Sequence, residues 1–374
     1  MKKQLVVALG LTVLATPAFA SKARLQALGE STNGSFFISD NRNIFLNAAE
    51  VNNNKDLVTF EFGSGATADS DIAPNAEGGV LKAYNNLVYG LHLGRVTSFN
   101  LAANDVVGVF QPSNAIDLFV GGDAGVKWGA NLTYANAADD KFGTTANNAD
   151  SKAKSMDLNV GVNAGDLSAY VKAGILGSSE NKDKVGTAVN VDFNRKSDFE
   201  IGASMKVSAY TVFAQGNMNK YEEKESNKDI SNTSYLVGAA RTEKLNDKTT
   251  MFVKLQGSYV KSDNEVVNAT DSVTKTTAVP VSIGLEHDAA SWLVLRGSIA
   301  QNLWSKLDSD ANGKSTVANS TNVNTGATLK FGELSVDGVV GTSTGAGAVG
   351  STTQEKGVLA LDNLMTRASV TYRF

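Results

Sequence analysis

From residue 57 to the C-terminus, apolar and polar residues alternate with a period of two over many short segments. In residues 364–374 the even-numbered positions form a largely apolar face that ends in Tyr372 and Phe374, whereas the opposite face carries Arg367 and Arg373. A period of two places every second side chain on the same face of a β-strand. The pattern predicts about sixteen strands, at 57–63, 79–84, 87–97, 116–122, 124–135, 154–163, 166–176, 197–207, 210–220, 233–244, 249–261, 276–287, 291–303, 321–331, 334–342 and 364–374.

The connections between these strands are of two kinds. Short turns, mostly of Asn, Gly and Asp, which suit tight hairpins, are predicted at 85–86, 164–165, 208–209, 246–247, 288–290 and 332–333. Long polar loops are predicted near 64–78, 98–115, 136–153, 177–195, 222–231, 262–274, 305–319 and 344–360. Short turns at one end and long loops at the other are typical of bacterial outer-membrane barrels. The predicted fold class is therefore all-β: a transmembrane antiparallel β-barrel with short periplasmic turns and long extracellular loops.

The number of strands is less firmly set than the fold class. Residues 98–123 contain Pro112 and three glycines, so the fourth strand is weak and this stretch is alternatively a loop folded into the lumen. The count therefore stays open between fourteen and eighteen. A soluble β-sandwich array or a β-helix is the competing interpretation of the alternation. Those folds must bury their apolar faces in a dry core, whereas in a closed barrel the faces meet lipid and every backbone group is paired.

The N-terminal 56 residues differ from the rest of the chain. Residues 1–20 contain Lys2 and Lys3, an apolar stretch and a final Ala-Phe-Ala, which together predict a secretory signal peptide that is removed before Ser21. Residues 21–56 lack the alternation and are predicted to be an N-terminal periplasmic or lumenal segment. Residues 57–374 form the predicted transmembrane β-barrel.

Composition removes several classes of function. The chain has no cysteine, which excludes a disulfide framework, a thiolate metal site and a cysteine nucleophile. Its 34 basic and 38 acidic residues make it mildly acidic, which argues against nucleic acid as a partner. After residue 20 there is no apolar run of ten residues, although a transmembrane helix needs about 20.

The exported, alternating chain and its last four residues, Thr-Tyr-Arg-Phe, resemble Gram-negative outer-membrane porins. The resemblance covers the chain from residue 21 onward. It implies passive passage of small solutes, location in the cell outer membrane, contact with outer-membrane lipid and lipopolysaccharide, and assembly as a homotrimer. In porins the terminal strand is the signal for the barrel-insertion machinery, so Tyr372 and Phe374 are the expected insertion signal.

Two further resemblances concern the N-terminal segment alone. Residues 21–29 and 40–47, Ser-Lys-Ala-Arg-Leu-Gln-Ala-Leu-Gly and Asp-Asn-Arg-Asn-Ile-Phe-Leu-Asn, are similar to the start of major outer-membrane proteins of Bdellovibrio-type predatory bacteria. The segment also resembles the N-terminal plug of fatty-acid transporter barrels, which carries Asn-Pro-Ala. This chain has Asn47-Ala48-Ala49 and departs from that motif at the proline. The transporter resemblance implies hydrophobic cargo and a plug.

Charged residues of the predicted strands are expected on the inner face. A Lys or Arg facing lipid at the bilayer midplane costs about 2–4 kcal/mol, so these side chains should point into a water-filled lumen. The predicted pore-lining residues are Glu61, Lys127, Asp157, Lys172, Glu200, Lys206, Lys254, Lys330, Asp337, Arg367 and Arg373. Within the weak region 98–123, the predicted constriction residues are Asp105, Asp117 and Asp123. Neither set fixes an ion selectivity.

The chemistry of an enzyme is sparse in this sequence. His92 and His287 are the only histidines, and a hydrolase triad would need Ser, His and an acid at one place. The sequence predicts no enzyme, no cofactor and no resident metal. Asp308, Asp310 and Asn312 match the first half of a calcium loop, but Asn319 stands where that loop needs a bidentate Glu. Weak calcium binding there is the alternative to a plain outer-loop turn.

Three functions remain for such a barrel. The first is a porin with a water-filled channel for passive diffusion of small hydrophilic solutes and ions. The second is a transporter for hydrophobic compounds with residues 21–56 as its plug. The third is a structural or surface-recognition barrel with a filled lumen.

Overall fold

The computed structural model describes residues 21–63, 76–103, 109–112, 115–142, 149–183, 190–266, 272–310, 313–316, 321–342 and 364–374. One antiparallel sheet contains nearly all of its regular structure. Its strands are β1 (Leu57–Gly63), β2 (Glu77–Tyr84), β3 (Leu87–Leu93), β4 (Ile116–Asp123), β5 (Lys127–Phe142), β6 (Ala149–Ala164), β7 (Leu167–Asp183), β8 (Val191–Val207), β9 (Tyr210–Glu223), β10 (Lys228–Asn246), β11 (Thr249–Val266), β12 (Ser272–Ala290), β13 (Leu293–Ser309), β14 (Gly313–Thr316), β15 (Thr321–Phe331), β16 (Leu334–Thr342) and β17 (Leu364–Arg373).

The sheet closes into a barrel because β17 pairs with β1, with Leu57 opposite Arg373. Each long strand pairs with its neighbour in the sequence, and β15 pairs directly with β13. The short β14 extends the end of β13 and lies outside this cycle. Within the described residues the barrel thus has sixteen strands, which confirms the predicted closed antiparallel β-barrel.

The outer face of the barrel is apolar, as a lipid-facing wall requires. Large side chains such as Leu118, Ile201, Val237, Leu255 and Ile299 are exposed there. Exposed aromatic residues gather close to the short turns, namely Tyr84, Trp128, Tyr210, Trp292, Phe331, Tyr372 and Phe374. Aromatic belts of this kind sit at the boundary between hydrocarbon and headgroups. An apolar belt with an aromatic edge around a closed sheet is the surface of an outer-membrane protein.

The weak fourth strand is present in the barrel. β4 pairs with both β3 and β5, so the alternative of a lumenal loop is wrong for residues 116–123. The residues before it do turn inward: a short helix, α3 (Ser98–Ala103), places Phe99 against Phe193 and Tyr221. Because β4 belongs to the barrel, the number of barrel strands among the described residues is even.

Several strands are longer than the alternation predicted. β5 runs on to Phe142 and β7 to Asp183, into regions predicted as long loops. Beyond the membrane both faces of a hairpin meet water, so the apolar–polar contrast that marks a strand is lost. The turn predicted at 288–290 is also displaced, because β12 continues to Ala290 and the turn is at 291–292.

Pro280 lies in the middle of β12, where the sheet accommodates it with a bulge. The pairing with β13 shifts register between Val279 and Pro280, opposite Trp304 and Asn302. Proline lacks the N–H that a ladder needs, so a bulge is where a central strand tolerates it.

Three short helical elements precede the barrel: α1 (Lys22–Ala27), α2 (Asn43–Leu46) and a 3-10 helix (Ala48–Asn52). Ser21 caps α1, since its Oγ accepts a hydrogen bond from the backbone N–H of Arg24 at 3.1 Å. None of the helices in the described part of the chain has the length and apolar character to span a membrane, a finding that does not bear on β-strands.

Candidate functional site in the barrel lumen

Residues 21–56, called here the lumenal segment, lie inside the barrel. Helix α1 packs against β13, β15, β16 and β17, and the 3-10 helix packs against β3, β4, β5 and β6. A peptide that contacts the inner faces of strands on opposite sides of a closed sheet must lie within it. The segment has four basic and four acidic residues, so its net charge is zero. Individual ion pairs and close backbone contacts hold it in place.

The first anchor is a buried cluster around Arg42. Its guanidinium donates to Glu77 on β2 and lies 3.7 Å from Glu61 on β1. Lys22 joins the cluster through its Nζ, 2.7 Å from Glu77 Oε2, and Arg42 also lies over the ring of Phe45 at 4.2 Å. The Arg42 side chain is only 2% exposed. Burial, together with the nearby Arg42 charge, lowers the pKa of Lys22.

The second anchor is centred on Arg24. Its Nε donates to Glu286 Oε2 on β12 at 2.9 Å, and its Nη1 donates to Asp40 Oδ2 within the segment at 3.1 Å. Glu286 also accepts from Arg296 on β13, which in turn lies 3.2 Å from Asp337 on β16. Burial raises the pKa of Asp40 to about 7, although Arg24 opposes the shift. Glu286 accepts from both Nε and Nη2 of Arg24 and is therefore its bidentate counter-charge.

The third anchor uses close backbone contact instead of charge. The 3-10 helix lies on Gly129 of β5 and Gly161 of β6: a Cβ at Gly129 would be 2.2 Å from the carbonyl oxygen of Ala48. Asn47 caps the helix, since its Oδ1 accepts from the N–H of Ala49 at 2.9 Å. Its Nδ2 donates to Ser168 Oγ on β7 at 2.8 Å. Glycines in the wall allow the segment to approach this closely.

Two polar cavities lie on either side of the lumenal segment. The larger, about 390 Å³, is at the short-turn end, and its lining includes Phe36, Asp123, Lys127, Asp166, Ser168 and Lys206. The smaller, about 180 Å³, is further toward the long loops, and its lining includes Arg95, Asn131, Asp157, Lys172, Glu200 and Asn217. Both cavities are bounded by the wall and by residues of the segment. Charged and amide side chains make up about half of each lining.

All eleven residues predicted to line the pore lie at inward-facing positions of their strands. Lys127, Lys172, Glu200, Lys206 and Asp157 border the two cavities. Glu61 and Lys254 instead bind the lumenal segment, Lys254 through Glu30. Asp337 is buried in the wall beside Thr328, and Lys330 is 3.4 Å from Asp288 near a short turn. Arg367 and Arg373 are partly buried on β17.

Two of the three predicted constriction aspartates, Asp117 and Asp123, lie among the described residues, at different positions along β4. Asp117 is buried in the wall on β4, where Arg95 Nη2 donates to it at 2.7 Å. Asp123 lies six positions further along the same strand and is exposed beside a turn. Six residues of strand span roughly 20 Å, so these carboxylates cannot narrow the lumen at one level. Asp105 is outside the described residues.

The alternation does not identify the residues that dock the segment. Arg24, Arg42 and Phe36 lie in the part of the chain without alternation, where no strand face assigns them a direction. Glu286 and Arg296 had a usable signal, because each directly follows an outward-facing leucine, Leu285 and Leu295 respectively.

Among the described residues, neither histidine is hydrogen-bonded to a carboxylate. His92 is buried on β3, with its ring edge-on to Phe45 at 5.0 Å, and His287 is exposed and bonded to Thr249 at 2.9 Å. In the part of the chain that is described, no group of three or more His, Asp or Glu side chains is arranged to hold a metal ion. Asn312 and Asn319 of the predicted calcium half-loop lie outside that part.

Comparison with known proteins gives structural matches at low sequence identity. No protein-family description matches the chain, and no curated protein matches it. Among solved structures, in-vitro folded OmpT, an outer-membrane protein of Vibrio cholerae, is 13% identical with a TM-score of 0.39, over 85% of this chain and 97% of that one. The outer-membrane channel DcaP of Acinetobacter baumannii is 11% identical with a TM-score of 0.38, over 85% and 95%. The CymD monoaromatic hydrocarbon channel is 11% identical with a TM-score of 0.41, over 96% and 98%.

The chain's own architecture places it in the outer membrane. Its closed antiparallel barrel pairs the strand edges, and its apolar belt faces outward, which are the two conditions for spanning a membrane with strands. Its inner face carries charges and a folded segment. The protein is an outer-membrane β-barrel.

Proposed function

We propose that the protein is an outer-membrane channel in which small hydrophilic solutes and ions diffuse through a lumen narrowed by the lumenal segment. The observation that carries this proposal is the pair of polar cavities on either side of that segment. A sixteen-stranded barrel is wide enough to leave an aqueous passage. Charged groups such as Lys172 and Glu200, which pair at 2.8 Å, keep the wall hydrated.

Transport of hydrophobic compounds is the second candidate, and one observation favours it. Phe36 and Phe37 of the lumenal segment stack with Phe213 of β9 inside the lumen. An apolar cargo would need apolar surfaces to continue through the barrel. The cavities on either side of the lumenal segment are instead lined in part by charged and amide side chains. Lipid or detergent retained in the purified protein, identified by mass spectrometry, would support this candidate over a diffusion channel.

The proposed function is tested by single-channel recording. The intact chain, refolded and inserted into a planar bilayer in potassium chloride, is expected to give steps of current proportional to voltage. A heat-unfolded sample of the same protein is the control and should give none. A folded barrel without conductance would contradict the proposal and leave the transporter for hydrophobic compounds and the structural or surface-recognition barrel as the remaining functions.

Several expectations from the sequence belong to the same proposal. They comprise removal of residues 1–20 on export, a homotrimer, contact with lipopolysaccharide, recognition of Tyr372 and Phe374 by the insertion machinery, and kinship with the Bdellovibrio-type outer-membrane proteins. One compared structure of Vibrio cholerae OmpT is described as a trimer form. Chemical cross-linking in native membranes tests the homotrimer.

A further inference from the structure

We propose that Phe36, together with Tyr170 and Phe213, forms an aromatic seal that separates the two polar cavities and sets the size limit for permeating solutes. This inference rests on the proposed channel function. It assigns the specificity-determining position to the lumenal segment instead of to the aspartates of residues 98–123.

The three rings form one continuous stack. Phe36 lies parallel to Phe213 of β9, with centroids 5.1 Å apart and an interplanar angle of 8°. It also stacks on Tyr170 of β7 at 6.3 Å and 24°. Offset stacking at such distances is favourable for aromatic pairs. Phe37 extends the stack, 6.5 Å from Phe213 and 6.3 Å from Phe252 of β11.

Glycines in the wall allow the two wall rings to lie flat across neighbouring strands. Tyr170 is paired with Gly202 of β8, and a Cβ at that glycine would lie 2.4 Å from the tyrosine ring. Phe213 is likewise paired with Gly238 of β10, where a Cβ would lie 2.5 Å from the phenylalanine ring. The Tyr170 hydroxyl is fixed by donating to Glu200 at 3.0 Å. Phe36 therefore rests on a rigid surface that spans β7 to β10.

The level of this stack lies between the cavities. Along β7, Ser168 lines the larger cavity and Lys172 the smaller, with Tyr170 between them. Along β8, Ser204 lines the larger cavity and Glu200 the smaller, so Gly202 lies between them. A solute that moves along this side of the barrel must therefore pass the rings.

Other parts of the lumenal segment cover much of the remaining wall. The 3-10 helix covers β3 to β6, and α1 covers β13 and β15 to β17. Leu28 packs over Gly284 of β12. The aromatic seal thus borders the narrowed level of the lumen, whose other parts are held by backbone contact and buried ion pairs. The Phe36 side chain can be removed by substitution without detaching the segment, because it is only partly buried and takes no part in the ion pairs that dock the segment.

The test is single-channel conductance of Phe36→Ala and Phe213→Ala. The seal and the two cavities act as electrical resistances in series. When the seal contributes at least half of the total resistance, its loss raises the conductance at least about twofold. Phe36→Tyr keeps the stacked ring and should retain the conductance of the intact chain. Phe193→Ala removes a ring from the cluster near the long loops, away from the seal, and should also leave the conductance unchanged.

A second measurement follows solute size. In liposome swelling with sugars of increasing mass, Phe36→Ala should admit larger sugars than the intact protein does. Intact and Phe36→Ala proteins with the same conductance and the same size limit would overturn the seal while leaving the channel function standing. Absence of conductance from the intact chain and from every variant would overturn the proposed function and the seal with it.

Discussion

Arg42→Ala is expected to detach the lumenal segment from β1 and β2 and to lower the free energy of unfolding by about 3–5 kcal/mol, the usual cost of removing one partner of a buried ion pair. The loss leaves Glu61 and Glu77 buried without the guanidinium that lies between them, while Lys22 stays 2.7 Å from Glu77. It also removes the donor that Arg42 Nε supplies to the carbonyl of Thr32 at 2.9 Å. The measurement is urea unfolding in lipid vesicles, followed by tryptophan fluorescence.

Arg241→Ala is the matched control for this variant. Arg241 also pairs with a carboxylate, Glu243 at 2.8 Å, but the Arg241 side chain is 43% exposed. Exposed ion pairs contribute about 0–1 kcal/mol, so the control should unfold close to the intact protein. Equal stability of the two variants would show that the Arg42 cluster does not hold the segment.

Gly129→Ala is expected to have the second largest effect. The new methyl group would meet the Ala48 carbonyl oxygen at 2.2 Å and the Ala49 nitrogen at 2.7 Å. These are backbone atoms of the 3-10 helix, so the clash is relieved only if the helix moves off the wall. Overpacking of this kind costs about 1–3 kcal/mol. Limited proteolysis should then cut residues 48–56 faster than in the intact protein.

Gly257→Ala is the control for the added methyl group. Gly257 lies within β11, and the nearest atom to its Cβ position is Val237 Cγ1 at 4.0 Å. Stability and proteolysis should match those of the intact chain. Faster cleavage in both glycine variants would show that the added methyl group acts by perturbing the strand. That result would contradict the proposed contact between Gly129 and the 3-10 helix.

The alternation predicted the barrel well because lipid imposes it. Strand β17, with Tyr372 outward and Arg373 inward, can be recognised from its own residues, without knowledge of its contacts elsewhere in the chain. The ends of the long hairpins could not be predicted in this way. β10 begins at Lys228, five residues before the predicted start, where polar side chains occupy both faces.

The candidate site depends on contacts that no local pattern reveals. Arg24 and Glu286 are 262 positions apart in the chain, and Phe36 meets rings from β7 and β9. Alternation placed Lys254 on the inner face, but it could not show that Glu30 of the lumenal segment neutralises it. Sequence therefore indicated where charges point, whereas the folded segment determines which of them face water.

The most direct test compares the single-channel conductance of the intact chain with that of a variant lacking residues 22–54, after both are shown to be folded barrels by gel mobility with and without heating. If the lumenal segment narrows the channel, the deletion variant should conduct several times more than the intact chain under the same salt and voltage. Equal conductance of the two barrels would show that the lumenal segment does not narrow the channel.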